Sequence, residues 1–174
     1  MSENEEVREQ RRMGGVMQAL AWLVFVGIGV FYFSDLLERQ HNPNQSVQTQ
    51  RSADGVREVV LQRNKFGHYV TTGAVNGEPV TFLLDTGATG VALPSGVARR
   101  LGLSGGRPVA TQTANGVAAS YAVRLGRVSI GAIELRDVAA TIAPGLDTQE
   151  VLLGMSFLKH IEFTQRGDTL ILRQ

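Results

Sequence analysis

Cysteine is absent from the 174 residues. That excludes disulfides, thiol nucleophiles and cysteine-ligated metal sites. An excess of either charge is also missing: 17 Lys and Arg stand against 16 Asp and Glu, a formal net charge of +1. The basic residues are scattered, with no stripe interleaved with aromatics, so nothing favours a nucleic-acid partner. The three histidines, His41, His68 and His160, are far apart and lack ligand spacing. Neither a metal site nor a cofactor is expected. No repeat at a solenoid or propeller period is present. Hydrophobic residues make up 43% of the chain, enough for one domain with a real core.

Long apolar runs are missing too, with one exception. Met13 to Phe33 carries no charge and a single Gln. As a helix it spans about 31 Å, close to the hydrocarbon thickness of a bilayer. Trp22 lies well inside the run, and Tyr32 is near its outer end, where interfacial aromatics belong. A cleaved signal peptide is the alternative. Its A-x-A form, Ala19-Leu20-Ala21, falls in the middle of the run, and Ser34-Asp35-Leu36 beyond it make a poor cleavage site. An uncleaved anchor over residues 13–33 is therefore expected. Arg8, Arg11 and Arg12 precede the run and only Arg39 follows closely. The positive-inside rule then keeps residues 1–12 in the cytoplasm and exports the rest.

Residues 34–56 are rich in Gln, Asn and Ser, with Pro43 and Gly55, and predict a flexible tether. Residues 57–174 predict an all-β domain. Strands are expected over 57–63, 68–75, 80–84, 91–93, 107–113, 117–125, 128–130, 133–135, 138–143, 151–153, 161–164 and 169–172. Asn76-Gly77 and Asn115-Gly116 are hairpin signals, and Arg166-Gly167 turns the last pair. Pro94-Ser95 opens a short helix to about Leu101, and Met155 to His160 form one or two helical turns.

The apolar strand Phe82-Leu83-Leu84 runs into Asp85-Thr86-Gly87-Ala88-Thr89. A carboxylate at a buried strand end is costly unless it is hydrogen-bonded or paired. Thr86 offers a hydroxyl and an N–H, and Gly87 allows a sharp turn and close approach. A satisfied turn acid would look the same, so the triplet by itself is a weak signal. Farther on, Val151-Leu152-Leu153-Gly154 is a second apolar strand ending in glycine, and the Asn115-Gly116 hairpin lies between the two.

This constellation resembles the pepsin-like and retropepsin-like aspartic proteases, in particular bacterial, membrane-tethered, retroviral-type members. The resemblance covers residues 57–174 and rests on Leu83-Leu84-Asp85-Thr86-Gly87-Ala88-Thr89 and Leu152-Leu153-Gly154-Met155-Ser156-Phe157-Leu158. It implies a retropepsin-like closed barrel, or single pepsin lobe, with one or two short helices after the membrane helix. It implies that Asp85 is catalytic, with Thr86, Gly87, Ala88 and Thr89 supporting the loop. Leu152, Leu153 and Gly154 would cross beneath as part of a ψ-shaped loop, and Asn115 and Gly116 would tip a flap over the substrate. The setting implied is a bacterial inner membrane with a periplasmic domain. Two departures stand out. Met155 occupies the place of an Arg that ties retroviral dimers together, and this chain ends in a hairpin rather than one interface strand.

Aspartic proteolysis needs two carboxylates sharing a proton, one ionised to activate water and one protonated to polarise the scissile carbonyl. This chain has one such triplet. Asp168-Thr169 is followed by Leu170, Asp54 lies in the expected tether, and Asp137 and Asp147 lack a following Thr-Gly. The domain is also half the size of a two-lobed protease. The second carboxylate is therefore expected from Asp85 of another chain in a homodimer, with Thr86 bonding across the axis. The reading is a membrane-anchored aspartic endopeptidase acting on peptides or proteins. The alternatives are a catalytically inactive retropepsin-like binding or dimerisation module, and a β-barrel binding domain with a coincidental triplet. Tyr121 reads as an ordinary strand aromatic and Asn76-Gly77 as a plain turn.

Overall fold

A computed structural model describes residues 3–51, 55–113 and 116–174. The chain divides after Arg39 into two compact units. Helix α1, Glu3–His41, supplies nearly all of the first. Its stretch Met13–His41 is long and apolar enough to cross a membrane, with mean hydropathy 2.0 and none of its most apolar window buried inside protein. Leu23, Phe25, Phe31 and Tyr32 are all exposed on it. A helix with large apolar side chains on every side suits lipid rather than water.

The second unit begins at Gln40, well before the boundary expected at Arg57. Residues 34–56 are not a free tether throughout. The helix continues to His41, Asn42 and Asn44 are buried, and Thr49–Arg51 forms β1. β1 pairs antiparallel with β2, Arg57–Gln62. Asn44 explains the difference. Its Nδ2 donates to Gln62 O at 2.9 Å and to Val70 O at 2.7 Å, and its Oδ1 accepts from Gln62 N at 2.7 Å. One side-chain amide thus joins β2 to β3, Tyr69–Val75, satisfying backbone groups at a gap between two strands. Polar composition signals coil only where the polar atoms lack fixed partners. Asp54 lies outside the described residues.

β3 turns at Asn76-Gly77 into β4, Glu78–Leu84. Both turn residues have positive φ, +53° and +93°, as a type I′ turn requires. There follow β5 (Val91–Pro94), α2 (Ser95–Arg100), β6 (Pro108–Thr113), β7 (Gly116–Ile130), β8 (Ile133–Ala143), β9 (Val151–Leu153), α3 (Met155–Leu158), β10 (Glu162–Arg166) and β11 (Thr169–Arg173). The main sheet has the order β3-β4-β9-β5-β8-β7-β6. β3 also pairs with β7, at Ala74↔Ser129 and Val75↔Val128, which closes six strands into a barrel with β6 outside the ring. Phe82, Leu93, Leu125, Ile130, Ile133, Leu153 and Phe157 are buried within the core. The seam demands a glycine: a Cβ on Gly73 would lie 2.3 Å from Ser129 O and 2.6 Å from the Phe82 ring.

β7 and β8 are each one long strand where the sequence suggested two. The interruptions at Gly126 and at Arg136-Asp137 fall opposite each other, between the pairs Leu125↔Val138 and Arg127↔Arg136. Asp137 takes φ +55° there, and Arg124 spans the kink, donating to Asp137 O at 3.0 Å and Oδ2 at 2.7 Å. The ladder therefore resumes in register. A smaller sheet, β1-β2-β11-β10, carries the final hairpin, which turns at Gly167-Asp168, one residue later than expected.

Candidate active site

The site is built where β4 ends. β9 lies parallel to β4, with Leu83↔Leu152 and Leu84↔Leu153, and antiparallel to β5 at Ala92↔Leu152. A strand from far along the chain thus sits between the two arms that flank Asp85, giving the ψ shape. Apolar side chains on all three strands bury against the core and hold this arrangement. Asp85 N donates to Leu153 O at 3.2 Å, and Ala88 N donates to Asp85 O at 3.2 Å. Met155 N reaches Ala88 O at 2.9 Å and Ser156 N reaches Thr89 O at 3.1 Å. Two distant stretches of backbone are laced together directly beneath one carboxylate.

That lacing leaves no room under the loop. A Cβ on Gly154 would stand 2.3 Å from Gly90 O and 2.5 Å from Ala88 O. Gly154 is therefore required for close approach, not for a left-handed turn. Gly87 is less tightly placed: a Cβ there would stand 3.1 Å from Asp85 Oδ1, so the carboxylate would have to shift by a few tenths of an ångström. Gly87 N donates to Asp85 Oδ1 at 2.9 Å. So the donor to the carboxylate is Gly87 rather than Thr86. The Thr86 side chain is exposed, as is that of Thr89, while Asp85 is half-buried. Among the described residues nothing donates to Asp85 Oδ2. One oxygen is fixed and the other is available.

Residues 71–160, half of the chain, match the "gag-polyprotein putative aspartyl protease" family. The chain belongs to the retropepsin-like aspartic proteases. An uncharacterized Sinorhizobium protein, encoded in the region 5′ of cobV, is 42% identical over 125 residues, covering 70% of this chain and 54% of the relative. An uncharacterized Rickettsia prowazekii protein is 34% identical over 122 residues, covering 67% of this chain and 52% of the relative. The chain spans about half the length of these curated relatives. The crystal structure of a retropepsin-like aspartic protease from Rickettsia conorii aligns at TM-score 0.56 and 29% identity, covering 74% of this chain and 94% of that one.

The retropepsin-like barrel gathers Asp85, Thr86, Gly87, Ala88, Thr89, Leu152, Leu153 and Gly154 into one cluster. The Asn115-Gly116 hairpin is separate from it in the ladder. β6 and the first part of β7 pair with each other from Pro108↔Tyr121 to Thr113↔Gly116. Asn115 lies outside the described residues, and Gly116 has φ +103°. Tyr121 is 42% exposed and packs on Gly105, whose added Cβ would meet Tyr121 Cβ at 2.6 Å. Ser156 has a role the sequence did not reveal. Its hydroxyl accepts from Val91 N at 2.9 Å and donates to Ala139 O at 2.9 Å, tying β5 to β8 beside the loop. The only signal was a small hydroxyl residue two places after Gly154.

Two concavities lie elsewhere. One of about 600 Å³ is lined by Arg57, Arg127, Arg136 and Glu134, at the end of β4 remote from Asp85. Another of about 200 Å³ includes Asp137, Ser156 and His160. Asp85 lines neither of these two. Among the described residues no group of three His, Asp or Glu is placed to hold a metal ion.

Proposed function

We propose that the barrel unit is an aspartic endopeptidase that works as a homodimer, with Asp85 from each of two copies forming the catalytic pair. The observation that carries this reading is the Asp85 loop itself. The backbone beneath the carboxylate is locked, one oxygen is held by Gly87 N–H, and among the described residues nothing donates to Oδ2. An acid serving only as a turn cap has no need of a barrel strand threaded beneath it. A single chain has one Asp-Thr-Gly triplet, so a two-fold partner would supply the second acid. The exposed Thr86 is available to bond across that axis.

In the dimer the two carboxylates share one proton, because close like charges do not both ionise. The ionised Asp85 takes a proton from a water held between them. The resulting hydroxide attacks the scissile carbonyl carbon, and the protonated Asp85 donates to the carbonyl oxygen. The tetrahedral intermediate then breaks the C–N bond as the amide nitrogen is protonated. The β6–β7 hairpin would close over an extended peptide and pair with its backbone. Helix α1 would anchor each chain in a bacterial inner membrane, with the N-terminus cytoplasmic and the barrel periplasmic. Two chains confined to one plane meet at raised effective concentration, which offsets a weak interface.

The test is peptide cleavage by the full chain in detergent micelles, followed over a dilution series. Specific activity should fall as copies separate into different micelles. Constant specific activity from monomers would overturn the shared site. Cleavage surviving Asp85→Asn would falsify the catalytic assignment.

A further inference from the structure

We infer that the concavity lined by Arg57, Arg127 and Arg136 is a docking site for an acidic segment of a peptide substrate, held on the barrel away from Asp85. This rests on the reading of the barrel unit as an endopeptidase. All of the lining residues belong to that unit. Strand alternation builds the site. Val128, Ile130 and Ile133 are buried in the core, so Arg127 and Ser129 on β7 share the outer face with Glu134 and Arg136 on β8. In the ladder Arg127 lies directly opposite Arg136, and Ser129 lies opposite Glu134. Like charges directly opposite each other destabilise a strand pair. Glu134 offsets this in part: its Oε1 accepts from Arg136 Nε at 3.2 Å, and its Oε2 is 3.7 Å from Arg127 Nη1.

Arg57 brings a third guanidinium from β2. Its Nη1 donates to Ala132 O at 2.9 Å, which holds it against the β7–β8 turn. The Arg127 guanidinium lies against the Asn76-Gly77 turn, where a Cβ on Gly77 would stand 3.2 Å from Nη2. The Arg127 backbone is fixed as well, with its N donating to Asn76 Oδ1 at 2.9 Å. Three guanidiniums and one carboxylate thus line a hollow of about 600 Å³. That excess of positive charge is gathered in a chain whose formal net charge is only +1. No step of the proposed hydrolysis uses it.

The lining selects among anions. A hollow of this volume takes a ligand of many atoms rather than one inorganic ion. Guanidinium forks bind carboxylates through paired hydrogen bonds. Glu134 repels a bare anion, but its Oε2 is beyond hydrogen-bond range of Arg127 and can accept a peptide N–H. A peptide rich in Asp or Glu offers both carboxylates and N–H groups, whereas a phosphate group has no N–H to give. Gly77 and Asp85 bracket β4, and an extended chain of about eight residues covers the roughly 26 Å between them. Substrates with an acidic segment at least that far from the scissile bond would engage both places at once.

Fluorescence anisotropy with a labelled hexaglutamate peptide tests this, using the full chain in uncharged detergent micelles at low salt. Hexaglutamate should bind, and a chain carrying both Arg127→Gln and Arg136→Gln should bind it about tenfold more weakly or worse. Its thermal midpoint should hold, because exposed ion pairs contribute little. Arg99→Gln, at an exposed arginine of α2, should leave binding unaltered. Glu134→Gln removes the repelling charge and keeps an oxygen acceptor, so it should tighten binding. Equal weakening by Arg99→Gln would mean diffuse attraction and overturn the site. So would failure of hexaglutamate to bind, weaker binding by Glu134→Gln, or tighter binding of inorganic phosphate than of the peptide. In cleavage assays, an acidic segment about eight residues from the scissile bond should lower KM with kcat unchanged, and the double variant should erase that difference. An acidic segment without effect on KM would overturn the docking role. Binding is read again on Asp85→Asn. Hexaglutamate bound there, with no peptide cleaved by the unaltered chain, would leave the acidic-peptide site standing and sink the endopeptidase. Cleavage without hexaglutamate binding would do the reverse.

Discussion

Between Asp85 and Gly90 the backbone is held by donors and acceptors from β9 and α3, and Gly154 closes the space beneath. Around Gly116 an added Cβ would meet nothing within 4 Å, and neighbouring Val117 is 73% exposed. Both turns are short, polar and glycine-containing. The glycines that shape them do opposite work: Gly154, after β9 and beneath the first turn, permits contact between two backbones, whereas Gly116 permits a positive φ in open space. Packing of the first kind removes freedom, and a carboxylate that must keep its place needs that. The second kind leaves side chains such as Val117 in water, where few buried contacts depend on them.

Substitutions on each side of this contrast should separate rigidity from reach. The largest effect is expected at Asp85→Asn. Cleavage should fall by roughly 10²–10⁴-fold, since an amide cannot share the proton, with the thermal midpoint unchanged. Peptide hydrolysis and circular dichroism on one preparation check it. A large drop in the midpoint would mean that the acid is structural.

Gly154→Ala comes next. Its methyl group would press on two backbone carbonyls that cannot rotate away, costing about 3 kcal/mol. Thermal unfolding should show a midpoint lower by roughly 10 °C, and activity should be lost with the loop geometry. An unshifted midpoint would show that the loop is softer than its hydrogen bonds imply. Ser156→Ala should cost less, about 1–3 kcal/mol, by leaving Val91 N–H and Ala139 C=O unpaired beside the loop. Urea unfolding would measure it, and Ser156→Thr should restore part of the loss.

The smallest effect on stability belongs to the hairpin. Val117→Ser should change unfolding free energy by less than about 0.5 kcal/mol, because the side chain is already in water. KM for a long peptide should nevertheless rise if the hairpin covers substrate. Unaltered KM and kcat would sever the hairpin from the site and collapse the contrast.

Much of the barrel was legible because its cues are local. Asn76-Gly77 sets a two-residue turn, Pro94 opens α2, and the β9 run Val151-Leu152-Leu153 stops at Gly154. Asp85 stood out because an acid follows three apolar strand residues. The continuity of β7 and β8 was hidden, since Gly126 and Asp137 each look like a break until they face one another. Asn44 was hidden for a similar reason. In sequence it is one more polar residue in a polar stretch, and only contact with Gln62 and Val70 makes it a strand link.

Residue order alone determined the apolar helix, the Asn76-Gly77 turn, the alternating strands and the acid at a strand end, because each depends on neighbours within a few positions. Tertiary structure decided that β9 enters between β4 and β5, that the barrel closes at Gly73, and that Gly87 rather than Thr86 donates to Asp85. It also decided that the domain reaches back to Gln40. Each of these depends on whether an atom distant in sequence occupies a space or satisfies a hydrogen bond, and spacing along the chain carries no record of that until the strands are packed.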